Sequence, residues 1–474
     1  MSWFVLYVSL GYAIRVAMVP VILRRQFAPG ASLAWLGVIF LHPYIGTALY
    51  MMLSETRIGP QRIARHRELV QYYRAATELT DQPQCAIDPA VADSYAPMIL
   101  QAQKISGLPV LEGNAVEFLP TCEQFIDRLV ADMDAAVSEI HLLYYMFDRD
   151  KTAQRVATAL IAAVKRGVHC RVLADAVASR GFFRTTGLGP GLRDAGVEVV
   201  AAMKVAMLRQ GLPRVDLRNH RKLAVIDGKI AYAGSHNLIN PDYGGRQGNP
   251  WIDVTGRLTG PITHQLGLVF AEDWAFETGV KLDAPEFGPH TGTISMQVVP
   301  TGPIAVGETY RRLLLGAIQS ARSRIVLTTP YFVPDEPTLV ALLMAADRGV
   351  QVQLIVPQVA DHFFTAAAGR AHYSKLLEGG VSIHLYRPGL LHSKTVTVDD
   401  AVGLFGSANL DVRSFNLNFE LSVLLYGKEA TEQLRAVQSS YLADSTPLNF
   451  ADWSRPNLIR QYFDRAVSLL SPLL

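Results

Sequence analysis

Charge and cysteine are both scarce in this chain of 474 residues. Charged side chains make up 18% of the sequence, well under the roughly 25% of an ordinary soluble domain. Lysine and arginine (44) nearly balance aspartate and glutamate (42), leaving a formal net charge of +2. A dedicated nucleic-acid binder would carry a basic face or a high isoelectric point, so no nucleic-acid partner is expected. Three cysteines, Cys85, Cys122 and Cys170, are odd in number and form no close pair. That excludes a disulfide framework and a cysteine-only zinc site, and each reads as a small buried apolar residue. Apolar residues stand where charge is missing, at 50% of the sequence. The length gives room for two or three domains; the composition asks for a membrane.

Two long apolar segments open the chain, Trp3 to Leu23 and Ala31 to Leu53. At about 1.5 Å per residue, both would cross a hydrocarbon core of about 30 Å as helices. A cleaved signal peptide fits the first poorly, because Met1 and Ser2 offer no basic start and no small-residue cleavage site precedes Arg24. Arg15, near its middle, keeps a re-entrant or interfacial helix open as the alternative to a span. The expectation is a transmembrane helical hairpin over residues 1–57, then a connecting region over 58–115 in which no motif is legible. Arg24 and Arg25 lie between the segments, while Arg57, Arg62, Arg65, Arg67 and Arg74 follow them. The larger basic excess stays in the cytoplasm, which puts the rest of the chain on that side.

From about residue 116 the sequence says similar things twice. Val116 to Thr121 recurs as Met296 to Thr301, and Glu139 to Phe147 as Arg324 to Phe332. Helix-like stretches follow, Ala153 to Lys165 and Pro337 to Asp347, each ending in Arg-Gly-Val before a short β-rich run. Strand, helix with a glycine stop, then strand is the pattern of a right-handed parallel crossover. The fold class is α/β, with one copy over 116–290 and a second over 291–474. They make either two domains or one pseudo-symmetric body with a shared cleft.

The chemistry-bearing residues sit at matching places in both copies. His220, Lys222 and Asp227 are followed by Gly234-Ser235-His236-Asn237; His392, Lys394 and Asp399 are followed by Gly406-Ser407-Ala408-Asn409. Both read H-x-K-x4-D, then G-S-x-N. Histidine and lysine two apart on a strand would share a face. Asp227-Gly228 and Asp399-Asp400 are turn signals, so each motif should fold as a hairpin that returns its Gly-Ser-x-Asn loop beside the histidine. Ser235, Asn237, Ser407 and Asn409 offer hydroxyls and amides suited to phosphate oxygens. Sheet packing alone does not explain two preserved His-Lys pairs with the same downstream loop; for Asp227 and Asp399, a turn role and direct involvement in chemistry both stay open.

These residues resemble the phospholipase D superfamily, whose signature is this duplicated His-Lys-Asp motif. The resemblance extends over essentially the whole chain to bacterial cardiolipin synthases of the phospholipase D type. Ile39-Phe40-Leu41-His42-Pro43, Thr329 to Pro334, Gly389 to Lys394, Asn409 to Ser414 with Asn418-Phe419-Glu420, and the terminal Ser471 to Leu474 all carry it. It implies two pseudo-symmetric phospholipase D-type domains preceded by a pair of transmembrane helices. It also implies phosphodiester exchange through a phosphohistidine, at a bacterial inner membrane. By motif order, His220 is the nucleophile and His392 the general acid and later base, with the reverse left open by the symmetry. Lys222 and Lys394, with Asn237 and Asn409, would hold the non-bridging oxygens. No cofactor or divalent metal is called for where two lysines neutralise that charge. Each histidine should have a carboxylate to fix its tautomer. Asp253, 33 residues after His220, and Glu420, 28 after His392, are equivalently placed for that role.

The implied substrates are two phosphatidylglycerol molecules, giving cardiolipin and glycerol. The rivals are a phospholipase D or another phosphatidyltransferase of the superfamily, a nuclease, which the apolar N-terminus disfavours, and an idle membrane scaffold, which the intact motifs disfavour. At the other end, Leu458, Ile459, Tyr462, Phe463, Ala466, Val467 and Leu470 recur at helical spacing after Pro456. Such a helix would either pack on the catalytic body or lie in lipid headgroups.

Overall fold

The computed structural model describes residues 3–25, 27, 29–54, 59–78, 89–204, 216–243, 250–303, 309–453 and 458–469. These fall into two compact units. One holds the described residues up to Ile63 with Asp216 and Leu217, and the other holds the rest from Ala64 onward.

In the first unit the helix Trp3–Arg24, 22 residues, is long and apolar enough to cross a membrane. The second expected span is instead two helices, Pro29–Leu41 (13 residues) and Pro43–Leu53 (11 residues). Pro43 has no N–H to continue the ladder, and its ring drives His42 to φ −134°, ψ 85°. Each piece alone is shorter than the roughly 20 residues a span needs. The expected pair of spanning helices is therefore found as one helix of spanning length and one broken segment. The break also accounts for Arg15, whose Nε donates to the carbonyl of Phe40 at 2.9 Å, near the interrupted helix end. Gly46 permits the fold-back, since a Cβ there would lie 2.8 Å from Ile39 Cα.

In the second unit the expected repeat appears as a mirrored strand order. From one edge, the first copy runs Glu198–Ala202, His169–Asp175, Glu139–Tyr144, Lys222–Ile226, Ile230–Gly234, Thr255–Thr259 and Leu111–Leu119. The second runs Ser382–Tyr386, Gln351–Pro357, Arg324–Thr328, Thr395–Val398, Val402–Gly406, Asn418–Tyr426 and Ile294–Thr301. Leu111–Leu119 and Ile294–Thr301 pair antiparallel and join the copies in one ladder. The helices Lys151–Lys165 and Glu336–Asp347 make the parallel crossovers, capped alike by Asp150 on the Ala153 N–H and Asp335 on the Thr338 N–H. Each copy has its own apolar core, and a third core spans the join. There Leu223 and Val225 of one copy meet Phe405, Leu421 and Val423 of the other. Cys170 is buried and Cys122 half-buried, and burial pushes both thiols up to about 11; Cys85 lies outside the described residues.

Described parts of the connecting region fold onto the second unit's strands and helices. Within its helix Pro60–Glu78, the Tyr73 hydroxyl donates to the Leu282 carbonyl at 3.0 Å. From its helix Pro89–Ser106, Met98 and Ala102 join the second copy's core, and the Tyr95 hydroxyl donates to Asp399 at 2.6 Å. The C-terminal helix Leu458–Ser468 docks through one polar and one apolar residue: Asp464 and Val467 are buried, Val467 beside Val333, Ala367 and Ala368, and Arg370 grips the Asp464 carboxylate at 2.8 and 3.1 Å. Leu458, Ile459 and Tyr462, at 67%, 77% and 70% exposure, face outward, so the expected apolar face is only partly packed. Leu470 lies outside the described residues.

Tyr95→Phe removes one donor from a carboxylate while keeping the packed ring. It should lower unfolding stability by about 1.5–3 kcal/mol, the usual range for a hydrogen bond to a charged group. Chemical denaturation followed by tryptophan fluorescence checks this; an unchanged midpoint would mean the connecting helix is held by its apolar contacts alone.

Candidate active site

Both motifs fold as the expected hairpins, Lys222–Ile226 with Ile230–Gly234 and Thr395–Val398 with Val402–Gly406. The histidines lie just outside these strands. Before each runs a two-residue strand that crosses to the other copy. Arg218–Asn219 pairs in parallel with Asn418 and Phe419, and Leu390–Leu391 with Trp251–Ile252. The His220 N–H then donates to the Phe419 carbonyl at 2.9 Å and the His392 N–H to the Ile252 carbonyl at 2.7 Å. The next residue on each partner strand is a carboxylate. His220 Nδ1 lies 3.0 and 3.1 Å from the Glu420 oxygens, and His392 Nδ1 lies 2.6 Å from Asp253 Oδ1.

The orienting carboxylates thus belong to the opposite copy from their histidines, which corrects the pairing implied by spacing within each copy. With Nδ1 against a carboxylate, the proton sits on Nδ1 and Nε2 carries the lone pair. His220 and His392 line one cavity of 670 Å³ together with Asn237, Asn409, Tyr145, Trp251, Tyr331 and Arg413. The Tyr145 ring stands edge-on to His220 at 4.7 Å between centroids, and the Trp251 ring lies 4.2 Å from that of His392.

The two lysines are buried behind the histidines. Lys222 Nζ donates to the His220 carbonyl at 2.7 Å and Lys394 Nζ to the His392 carbonyl at 2.5 Å. Burial and the opposing Lys394 pull Lys222 well below its ordinary value, and burial brings Lys394 down to about 8. Burial likewise lowers His220 to about 4 and His392 to about 3, with the lysines adding to the fall and the carboxylates opposing it. Both imidazoles are therefore neutral at pH 7. Burial works against the Asp253 and Glu420 carboxyls, but their histidines and Lys222 or Lys394 outweigh it and hold both below the usual range.

The remaining expected residues divide. Asn409 keeps a buried Oδ1 with no partner among the described residues, and Asn237 Oδ1 accepts the Met146 N–H at 3.2 Å. Ser235 and Ser407 brace the carboxylate strands: Ser235 bonds the Val254 backbone, and the Ser407 hydroxyl donates to Glu420 at 2.5 Å. Asp227 and Asp399 are not brought to the cavity. They sit at the far ends of the hairpins with φ of 51° and 50°. Asp227 accepts the N–H groups of Val137, Ser138 and Glu139, and Asp399 those of Arg322, Ser323 and Arg324. Partial burial opposes ionisation there, yet the donors hold both carboxyls below their ordinary value. Of the two readings left open by the sequence, the geometry favours the turn clamp. Tyr145, Trp251, Tyr331 and Arg218 were not singled out from sequence. The signals were position, at the ends of the matched strands or beside the motif, and for Tyr331 the Thr329 to Pro334 stretch that carries the resemblance.

Comparison with known proteins follows the same division. Residues 129–274 and 314–441 match the family model described as cardiolipin synthase, PLD-like domain, one segment in each copy. The chain belongs to that family. The protein named Cardiolipin synthase A from Edwardsiella ictaluri (strain 93-146) is 35% identical, covering 100% of this chain and 98% of that one. Its namesake from Serratia proteamaculans (strain 568) matches at the same identity and coverage. Among solved structures, phosphatidylserine synthase from Haemophilus influenzae Rd KW20 superposes with a TM-score of 0.62 at 16% identity, over 80% of this chain and all of that one. That likeness shows a shared fold.

Two outcomes follow for purified enzyme. Lys394 loses its charge as pH rises through about 8, so kcat/KM should decline above that pH; in Lys394→Arg, whose guanidinium stays charged, the alkaline limb should move up by more than a unit. Asp227→Ala should lower stability by about 1–3 kcal/mol through its orphaned N–H donors and leave kcat of the folded enzyme near wild type. Loss of turnover without loss of stability would return Asp227 to the catalytic set.

Proposed function

We propose that this chain is a membrane-bound cardiolipin synthase that joins two phosphatidylglycerol molecules through a phosphohistidine and releases glycerol. The observation that carries the reading is the convergence of two carboxylate-held imidazoles, one from each copy, on a single cavity. His220 Nε2 attacks the phosphorus of the first lipid, and the bond from phosphorus to the glycerol headgroup oxygen breaks. His392, as imidazolium, gives its proton to that oxygen. It then takes a proton from the terminal hydroxyl of the second lipid, whose oxygen attacks phosphorus and expels the His220 nitrogen. Lys222, Lys394, Asn237 and Asn409 serve the non-bridging oxygens, whose charge grows in each transition state.

Asymmetry between the carboxylates supports this division of labour. Glu420 is shared among His220, Ser407, Ser414 and Asn418, which suits a histidine that must stay put. Asp253 meets His392 through one short contact, which suits a partner that must stabilise an imidazolium in passing. Water in place of the second lipid would yield phosphatidic acid, so a site that favours a lipid alcohol must restrict water. The N-terminal unit anchors the chain in a bacterial inner membrane. Its five following arginines against two between the apolar segments favour a catalytic body on the cytoplasmic side.

Mass spectrometry of the products from phosphatidylglycerol vesicles tests the reaction. Cardiolipin with released glycerol is expected, and phosphatidic acid alone would make the enzyme a phospholipase D. His220→Ala and His392→Ala should each cut cardiolipin formation by about a hundredfold or more. With a donor bearing a good leaving group, labelled phosphatidyl group should accumulate on His392→Ala and never on His220→Ala; the opposite pattern exchanges the two roles.

A further inference from the structure

A second cavity, of 450 Å³, adjoins the catalytic one and shares Trp251, Tyr331, Asp361 and Thr365 with it. The shared wall lies on the side of His392: Trp251 packs against that ring, and the Tyr331 ring lies 6.5 Å from it. Beyond the wall the lining is mixed: Phe332, Val356, Leu385, Leu390, Tyr373 and Trp453 give it an apolar and aromatic side, while Gln358, Arg370 and Arg460, with Asp361 of the wall, bring polar groups. Its arginines are already engaged, Arg370 by the Asp464 carboxylate and Arg460 over the Trp453 ring. Phe363 and Val359 line the same cavity and are 62% and 47% exposed. Beside them, Phe463 packs on Phe363 at 5.6 Å between centroids, and the outward Leu458 and Ile459 extend the apolar surface along the C-terminal helix. The wall itself carries an unused donor, since Trp251 Nε1 is buried with no hydrogen-bond partner among the described residues.

We propose that this second cavity holds an acyl chain of the acceptor phospholipid, the one whose hydroxyl His392 deprotonates. The inference rests on the cardiolipin synthase reading and on His392 as the base. A cavity with an apolar, aromatic side that adjoins the catalytic one beside His392 can take one end of an amphiphile and leave its polar end in the catalytic cavity. The Trp251 N–H is placed to meet a headgroup oxygen at that junction. This arrangement gives a lipid alcohol an advantage that water lacks: its chain contributes binding energy which fixes its hydroxyl beside the base.

The experiment uses the full-length enzyme in mixed micelles of long-chain phosphatidylglycerol, with butanol as a competing small acceptor. Ala366 is half-buried and lines only the second cavity, so Ala366→Trp fills it without adding bulk to the catalytic one. The ratio of cardiolipin to phosphatidylbutanol should fall about tenfold or more, while total donor consumption stays within about twofold of wild type. Both products arise from the same phosphatidyl-enzyme in one tube, so their ratio does not depend on how much of the variant folds. An unchanged ratio overturns the proposal. If the ratio holds while long-chain donor is consumed more slowly and dihexanoyl donor is not, the cavity serves the donor's chain, which equally overturns the acceptor assignment. Failure of the reading beneath it looks different: wild-type enzyme itself would then make phosphatidylbutanol but no cardiolipin.

Discussion

The catalytic body is organised around a desolvation problem. Lys222, Lys394, Asp253 and Glu420 are all buried, and removing each from water costs several kcal/mol unless partners replace the solvent. Two lysines and two carboxylates share this buried set, in a balance that leaves both imidazoles neutral. A phosphodiester upsets that balance by adding a negative charge. It relieves the pressure of the lysines on the histidines and favours a proton on one of them. An anionic phosphodiester beside the imidazoles thus favours the imidazolium that the proposed mechanism needs.

Such a balance works only if the four groups cannot move apart, and each hairpin is fixed at both ends. At the cavity end, the two-residue strands lock His220 and His392 to the backbone of the other copy. At the far end, Asp227 and Asp399 tie each turn to the start of the neighbouring strand. Between them Arg221 spans the join: it binds Asp273 at 2.7 Å and donates to the carbonyls of Glu420 and Thr301. A shift of one residue in either short strand would set a histidine against Phe419 or Ile252 instead of a carboxylate.

Much of this was legible in the sequence, because the chain states its fold twice. Repetition exposed the crossovers, the hairpins and the two His-Lys pairs, which a single copy would have left as ordinary amphipathic strands. Contacts between the copies were not legible. Asp253 and Glu420 were recognisable as orienting groups by equivalent placement, but no spacing within a copy shows that they exchange partners. Tyr95 and Tyr73 were missed for a similar reason: their partners lie some 200 to 300 residues away. Hydropathy read Ala31 to Leu53 as one span because it averages over Pro43, whereas the backbone responds to that residue alone. The C-terminal helix kept its expected period, yet Asp464 won the buried position because Arg370 was waiting for it.

The exchange of carboxylates has an ancestral consequence. Take the two copies as separate, identical chains: the same crossing would then be an isologous contact, with histidine and carboxylate of each subunit answering those of the other about a two-fold axis. In such a homodimer both histidines would be equivalent by symmetry, and neither could specialise. Covalent fusion removes that obligation. Aspartate can stand at 253 where glutamate stands at 420, and Trp251 where the other copy has Asn418. A fixed division of labour between the two imidazoles, as proposed for this chain, is one that fused and diverged copies can encode and a symmetric dimer cannot.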